Sequence, residues 1–176
     1  MINRIIYSVK RKIYNIAWAA SKDFYNQMEK DRISNIQSSY NFPSSVRFGK
    51  NVNFLGNIQI GENTYINSGF LNAGNSAKIV IGEWCAIGYN VNIIASTHDP
   101  IYSTGPSEER PIIEGDIIIG NHVWIGTNVF IKENITIGNN SIIGANSVVT
   151  KNVPEGAIVA GVPARILKYK NEIERL

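Results

Sequence analysis

Hydrophobic residues recur along this chain at two periods, and the change of period divides it. Over residues 2–37, Ile2, Ile5, Ile6, Val9, Ile13, Ile16, Ala17, Ala20, Phe24 and Met28 recur at steps of three and four. That spacing predicts an amphipathic helix. From Phe48 onward the period is six. Phe48, Phe54, Ile60 and Ile66 open the series; after a slip of three residues it resumes at Ile81, Ile87 and Ile93. After an interruption it resumes again at Ile113, Ile119, Ile125, Ile131, Ile137, Ile143 and Val149. Six fits neither an isolated helix nor simple strand alternation; it predicts a coil of short parallel strands, each stacked on the coil below.

The other hexad positions agree. The second is often glycine (Gly49, Gly61, Gly82, Gly88, Gly120, Gly126, Gly138, Gly144), which lets backbones approach closely. The fourth is often asparagine (Asn51, Asn57, Asn63, Asn90, Asn128, Asn134, Asn140, Asn146, Asn152), suited to corners that need positive φ. The fifth is small or aliphatic, Thr97, Cys85 and Ser141 among them, so Cys85 reads as a core residue rather than a reactive thiol.

The interruption follows one of the two histidines. His98 ends the hexad that begins at Ile93, and residues 99–112 fit no hexad. They hold three of the six prolines (Pro100, Pro106, Pro111), with Gly105, Glu108, Glu109 and Arg110. Proline has no N–H for a ladder, so this segment must leave the coil. A loop thrown out of a rigid scaffold is a usual place for function. The other histidine, His122, occupies a fourth, corner position and reads as an exposed corner residue.

Composition narrows the classes. The chain has 176 residues, 44% hydrophobic and 18% charged, with a formal charge of +3, which suits one domain. Arg4, Lys10, Arg11, Lys12 and Lys22 all precede the first acid, Asp23. No nucleic-acid motif accompanies them, so the early charge points instead to an anionic ligand or an anionic membrane surface. The helix has two readings: packing on the domain or another subunit, or lying on a membrane. One cysteine implies no disulfide, and no run approaches a membrane span. The short apolar stretch "IYNIAWAAS" is interrupted by Asn15, which argues against a cleaved signal.

The run "IGNHVWIGTNVFIKENITIGNNSIIGANSVVTKNVPEGAIVAGVPARILK" closely resembles the hexapeptide-repeat acyltransferases. The resemblance covers residues 46–168. It implies an all-β core, a left-handed parallel β-helix; with the N-terminal α-helix read from its spacing at 1–37, the coil occupies 38–168 with a protruding loop at 99–112, and a short tail follows at 169–176. The tail stretch "KYKNEIERL" reads as helical or frayed. The handedness comes from the family, against the usual right-handed crossover rule.

The galactoside, maltose and xenobiotic acetyltransferases carry their catalytic base where the coil expels its loop, and "CAIGYNVNIIASTHDP" lies in that register. The resemblance thus makes His98 a general base and acetyl-CoA the co-substrate. Neutral imidazole is suited to taking a hydroxyl proton near pH 7. Trp124, Thr127 and Ala145 match positions lining the CoA groove, while Lys151 and Arg165 match basic positions near its phosphates. For the acceptor, Asn67, Ser68 and Asn72 upstream and Asp99, Tyr102 and Arg110 on the loop are candidates.

The family implies a homotrimer with its active site between subunits, and outward Trp124, Phe130, Ile142 and Val148 fit covered faces. The closest likeness is to bacterial O-acetyltransferases of capsule, exopolysaccharide and O-antigen synthesis. A cytoplasmic enzyme is expected, acting on a sugar or glycan hydroxyl and peripheral to the inner membrane through its N-terminal helix. An acetyltransferase of xenobiotics or of an amino sugar is the alternative within the class, and a non-catalytic β-helical scaffold the alternative outside it. A zinc site of the γ-class carbonic anhydrase kind would need three histidine positions, and the chain has two.

Overall fold

The structure is a computed structural model that describes residues 2–102 and 110–172. The chain divides into two compact units, Met1–Ser39 and Tyr40–Leu176.

A single helix, α1 (Ile2–Tyr40), makes up the first unit. Its 39 residues extend about 58 Å at 1.5 Å per residue. Asn41, at φ 53°, stops it in the left-handed conformation that commonly ends helices, with Pro43 just beyond. Tyr7, Val9, Ile13, Tyr14, Ile16, Trp18, Phe24, Tyr25 and Met28 are all exposed. The later half is internally paired: Arg32 bridges Glu29 at 2.8 Å, and Gln27 donates to Asp31 at 2.8 Å.

The second unit is a parallel β-helix. On one face β3 (Tyr65–Asn72), β6 (Val91–Ile94), β11 (Phe130–Ile131) and β14 (Val148–Val149) stack in order. On the next, β3 continues into β5 (Ala86–Ile87), β10 (Trp124–Ile125), β13 (Ile142–Ile143) and β15 (Ala157–Ala160). The third holds β2 (Asn57–Ile60), β4 (Lys78–Ile81), β9 (Ile117–Ile119) and β12 (Ile135–Ile137). Aliphatic side chains stack in columns inside the ladders. Ile66, Ile87, Ile125 and Ile143 form one column and Leu71, Ile93, Ile131 and Val149 another, every one of them buried. Each buried isoleucine contributes about 2–3 kcal/mol through area removed from water.

Asparagine sets the corners. Asn63, Asn90, Asn128, Asn134, Asn140 and Asn146 all have φ between 53° and 60°. Asn51 and Asn57 instead lie in strands, β1 (Arg47–Leu55) and β2, and Gly56 at φ 86° makes the bend between them. Along one edge the amides form a ladder, Asn90 donating to Asn128 and Asn128 to Asn146, each at 3.0 Å.

Both ends of the coil are covered. Tyr40, Phe42, Phe48 and Phe54 cluster with ring centroids 5.1–5.7 Å apart at the first coil. At the other end β16 (Arg165–Tyr169) turns back antiparallel on β15, so Lys168 and Tyr169 are strand rather than the helical or frayed tail expected. Covering an open ladder this way blocks further strand addition.

Register locates both irregularities. Ile117 stacks on Ile135, 18 residues away, as Ile125 does on Ile143. Ile58 stacks on Ile79, 21 away, so the slip is a corner three residues longer, at residues 74–77. Ile79 stacks on Ile117, 38 away, so 20 residues are expelled from that turn. The expelled segment is therefore residues 96–115, wider than the expected 99–112. Thr97, His98 and Ile113 are exposed and belong to a hairpin, not to hexads. The coil resumes in earnest at Ile117, which is buried.

Candidate active site

The expelled segment begins and ends as a two-stranded hairpin. β7 (Ser96–His98) pairs antiparallel with β8 (Ile112–Glu114), His98 facing Ile112 and Ser96 facing Glu114. Its feet remain in the ladder: Ala95 N–H donates to Asn72 O at 2.8 Å, Gly115 N–H to Ala95 O at 3.0 Å, and Asn134 N–H to Gly115 O at 3.2 Å. The excursion thus rises from a continuous hydrogen-bonded base. Asp99 closes the next turn. Its N–H donates to Pro111 O at 2.8 Å, and its carboxylate accepts from Ile101 N–H at 2.9 Å, starting a short 3-10 turn at Pro100–Tyr102. His98 is exposed at the hairpin's end, beside this turn. Arg110 is half-buried where the segment returns. The side chain of Tyr102, and Gly105, Pro106, Glu108 and Glu109, lie outside the described residues.

The two irregular stretches hold each other. The Glu114 carboxylate accepts from Asn75 N–H and Ser76 N–H, each at 2.7 Å, and from the Ser76 hydroxyl. The Ser76 hydroxyl first, then the Asn75 and Ser76 amides, hold its pKa at about 2, below the ordinary 4.5. Next to it, Asp116 accepts from Lys78 N–H at 3.0 Å and stands 3.8 Å from the Lys78 ammonium. Gly74 has φ 71°, and a Cβ there would lie 2.1 Å from the Glu114 carboxylate and 2.7 Å from Ser96 Cβ, so a side chain would be strained and would displace the Glu114 carboxylate. Sequence reasoning missed Glu114, Asn75 and Ser76. Their only signal was that the slip and the interruption both break the same period.

A groove of about 420 Å³ runs along the face carrying β5, β10 and β13. Tyr65, Asn67, Tyr89, Trp124, Thr127 and Ala145 line it, with glycines on its floor. Trp124, Thr127 and Ala145, the three positions expected to line a CoA groove, and Asn67, expected near the acceptor, thus line one groove. Tyr65 and Tyr89 were missed. Tyr65 was legible, because it holds the same outward sixth position as Trp124, and the two stand in one register column with Ala86 between them. Lys151 and Arg165 are exposed, lie outside this groove, and Arg165 donates to Ala164 O at 3.0 Å. His98 also lies outside it.

The remaining candidates have structural duties. The Ser68 hydroxyl accepts from Asn90 N–H at 2.8 Å, securing a corner, and Asn72 accepts from Gly74 N–H at 2.9 Å. His122 sits at its corner with φ 56° and is exposed. Cys85 is buried, its thiol donating to Gly120 O at 3.1 Å, and burial raises its pKa. Among the described residues, no three His, Cys, Asp or Glu side chains converge in a way that could hold a metal ion, and no helix is long and apolar enough to cross a membrane.

The fold and repeat agree with known proteins. Residues 116–151 match the bacterial transferase hexapeptide (six repeats) family. A sophorolipid acetyltransferase of Starmerella bombicola is 48% identical over 129 residues, covering 72% of this chain and 46% of that protein. A polysialic acid O-acetyltransferase of Escherichia coli O1:K1 / APEC is 40% identical over 131 residues, covering 70% of this chain and 42% of that protein. The chain spans under half the length of these two relatives. Among solved structures, a hexapeptide-repeat acetyltransferase of Vibrio cholerae O1 biovar eltor, complexed with acetyl coenzyme A, superposes with a TM-score of 0.65 at 32% identity. That match covers 80% of this chain and 77% of the other. The chain belongs to the hexapeptide-repeat acyltransferase family.

Proposed function

We propose that this protein is an acetyl-CoA-dependent O-acetyltransferase that acylates a hydroxyl of a sugar or glycan precursor. The observation that carries the reading is the pairing of an exposed histidine, rigidly footed in the coil, with an aromatic groove on another face. The relatives are acetyltransferases by name, two of them of a glycolipid and a polysaccharide, and a solved neighbour holds acetyl coenzyme A.

The groove suits the pantetheine arm: Trp124 and Ile142 supply apolar walls and Asn67 and Thr127 polar atoms. Lys151 and Arg165, exposed, would meet the phosphates. His98 removes the proton from the acceptor hydroxyl as its oxygen attacks the thioester carbonyl carbon. The tetrahedral oxyanion collapses, the C–S bond breaks, and the imidazolium returns its proton to the departing thiolate. The products are an O-acetyl ester and CoA-SH. Cys85 is buried, which supports direct transfer without an acyl-enzyme on that thiol. Asp99 and Arg110, with Tyr102, Asn67 and Ser68, are the acceptor-facing candidates.

The groove lacks the base and the hairpin lacks the groove. Homotrimer assembly, with His98 of one copy reaching the groove of the next, would complete the site. Exposed Trp124 and Phe130 support such covered faces. We further propose a cytoplasmic location, peripheral to the inner membrane through α1. At about 100° per residue, Val9, Ile13, Ile16 and Phe24 project within an arc of about 80°. Arg11, Lys12 and Lys22 spread over a separate arc of about 100°, Lys10 lies outside it beside the apolar arc, and Tyr7, Tyr14, Trp18 and Tyr25 fall within about 40° of one line between the two arcs. Apolar, aromatic and basic arcs in that order suit a helix lying in an anionic interface.

The test is CoA-SH release from acetyl-CoA with a panel of nucleotide sugars, free sugars and oligosaccharides. Acceptor-dependent release that His98→Ala lowers about 10²–10⁴-fold is expected. Unchanged turnover in a folded His98→Ala protein overturns the mechanism, and failure to bind CoA favours the scaffold.

A further inference from the structure

One corner of the coil carries a residue that its backbone does not favour. Among the described residues, nine non-glycine positions have positive φ; seven are asparagine, one is His122 and one is Trp84. Trp84 has φ 56°, in a corner column with Asn63 at 58°, His122 at 56° and Asn140 at 59°. A bulky aromatic in the left-handed region is an outlier and strained, whereas asparagine tolerates it. The strain is not offset by burial, since Trp84 is 57% exposed. Strained residues of this kind concentrate where a ligand is held.

The indole borders a second groove, of about 460 Å³, lined also by Ser44, Ser45, Arg47, Asn63 and Tyr65. Tyr65 lines the first groove too, so the two surfaces meet there. Three chemistries converge on the second groove. Trp84 and Tyr65 give aromatic faces; Ser44, Ser45 and Asn63 give hydroxyl and amide groups; Arg47 gives the one charge, with no carboxylate among the lining residues. A pyranose ring has an apolar C–H face that packs on an aromatic ring and hydroxyls that need donors and acceptors. A guanidinium beside it suits a sugar carboxylate.

We propose that Trp84, with Tyr65 and Arg47, forms an accessory platform for an acidic oligosaccharide, gripping the acceptor chain away from the hydroxyl that is acetylated. The proposal rests on the glycan-acceptor reading above. It makes Trp84 a binding residue kept in a corner where asparagine would fold better.

The experiment uses the full chain without acetyl-CoA. A hexamer of sialic acid and neutral maltohexaose are titrated calorimetrically into wild type, Trp84→Asn and Arg47→Gln, with thermal unfolding and sedimentation of each. Wild type should bind the acidic hexamer. Trp84→Asn should weaken it about tenfold, the scale of one aromatic contact, and should raise Tm by a few degrees with the assembly unchanged. Arg47→Gln should weaken the acidic hexamer and leave the neutral one alone. No binding by wild type, binding of maltohexaose only, or equal affinity in Trp84→Asn overturns the proposal. So does a lower Tm or a smaller assembly in Trp84→Asn, which would make the indole a packing or copy-to-copy contact. Loss of acetyl transfer in the CoA-release assay would sink the enzymatic reading and leave these titrations unaffected, so the two failures are separable.

Discussion

Glu114 is fastened to Ser76, and that contact ties the return strand of the expelled hairpin to the longer corner beneath it. The carboxylate is ionised to unusually low pH because Ser76 and Asn75 donate to its charged form. Its pKa in the folded protein is about 2, below its unfolded value of about 4.5. The stabilisation it supplies is therefore complete above about pH 4.5 and is lost as pH falls from there through 2. Thermal melts of wild type should drop more steeply between pH 5 and pH 2.5 than those of Glu114→Gln, whose amide does not titrate. Parallel curves would show that the clasp adds nothing to stability.

His98 is exposed at the end of β7 and packs into no core. Replacing it with alanine should leave unfolding free energy within about 0.5 kcal/mol of wild type. Urea titration checks this, and it is what lets a large loss of turnover be read as chemistry.

Asn128 combines a left-handed corner at φ 58° with amide bonds to Asn90 and Asn146. Asn128→Ala should destabilise by about 2 kcal/mol, from backbone strain and lost hydrogen bonds together. Asn128→Gly should lose roughly half of that, because glycine takes the corner without strain. Equal losses would place the whole effect in the amide ladder.

Two glycines separate crowding from conformation. Gly69, at φ 148°, would bring a Cβ within 1.9 Å of Val91 O, while Gly156, at φ 66°, has nothing within 4 Å. Gly69→Ala should cost about 3 kcal/mol or more, and Gly156→Ala about 1 kcal/mol. Denaturant midpoints of the two variants measure the difference.

The α1 charges are testable on vesicles. Reversing Lys10, Arg11 and Lys12 to glutamate should reduce co-sedimentation with anionic vesicles by at least tenfold, since each basic residue near such a surface is worth about 1 kcal/mol. Retained binding would assign the membrane contact to the exposed apolar side chains alone, and no binding by wild type would overturn the membrane reading of α1.

The coil was legible because a buried residue every sixth position leaves a period that nothing else produces. Ile81, Ile87, Ile93 and Ile119 to Val149 all point inward as that period requires. Ile113 shows its limit. It stands six residues before Ile119 and so mimics a hexad, yet it pairs antiparallel with Thr97, because phase alone does not reveal strand direction. Hexad position marked the corner at His122, and Trp84 holds the same fourth position in the hexad from Ile81, yet only asparagine was followed there and Trp84 went unnoticed. Trp124, Thr127 and Ala145 were reached through resemblance. Tyr89 shares its groove with residues 22 or more away, and the Glu114 clasp joins residues 38 and 39 apart, which no local pattern carries.

The feet of the expelled hairpin, Ala95 and Gly115, are hydrogen-bonded to each other, and the rungs below and above close as if nothing had been inserted between them. Between His98 and Glu114, which hold the proposed base and the clasp, the excursion is therefore an interchangeable cassette. Its length and wording can be rewritten without shifting a single rung, and doubling it would cost only about 0.6 kcal/mol in closure entropy. A scaffold built this way can change the molecule it acts on while its core stays the same.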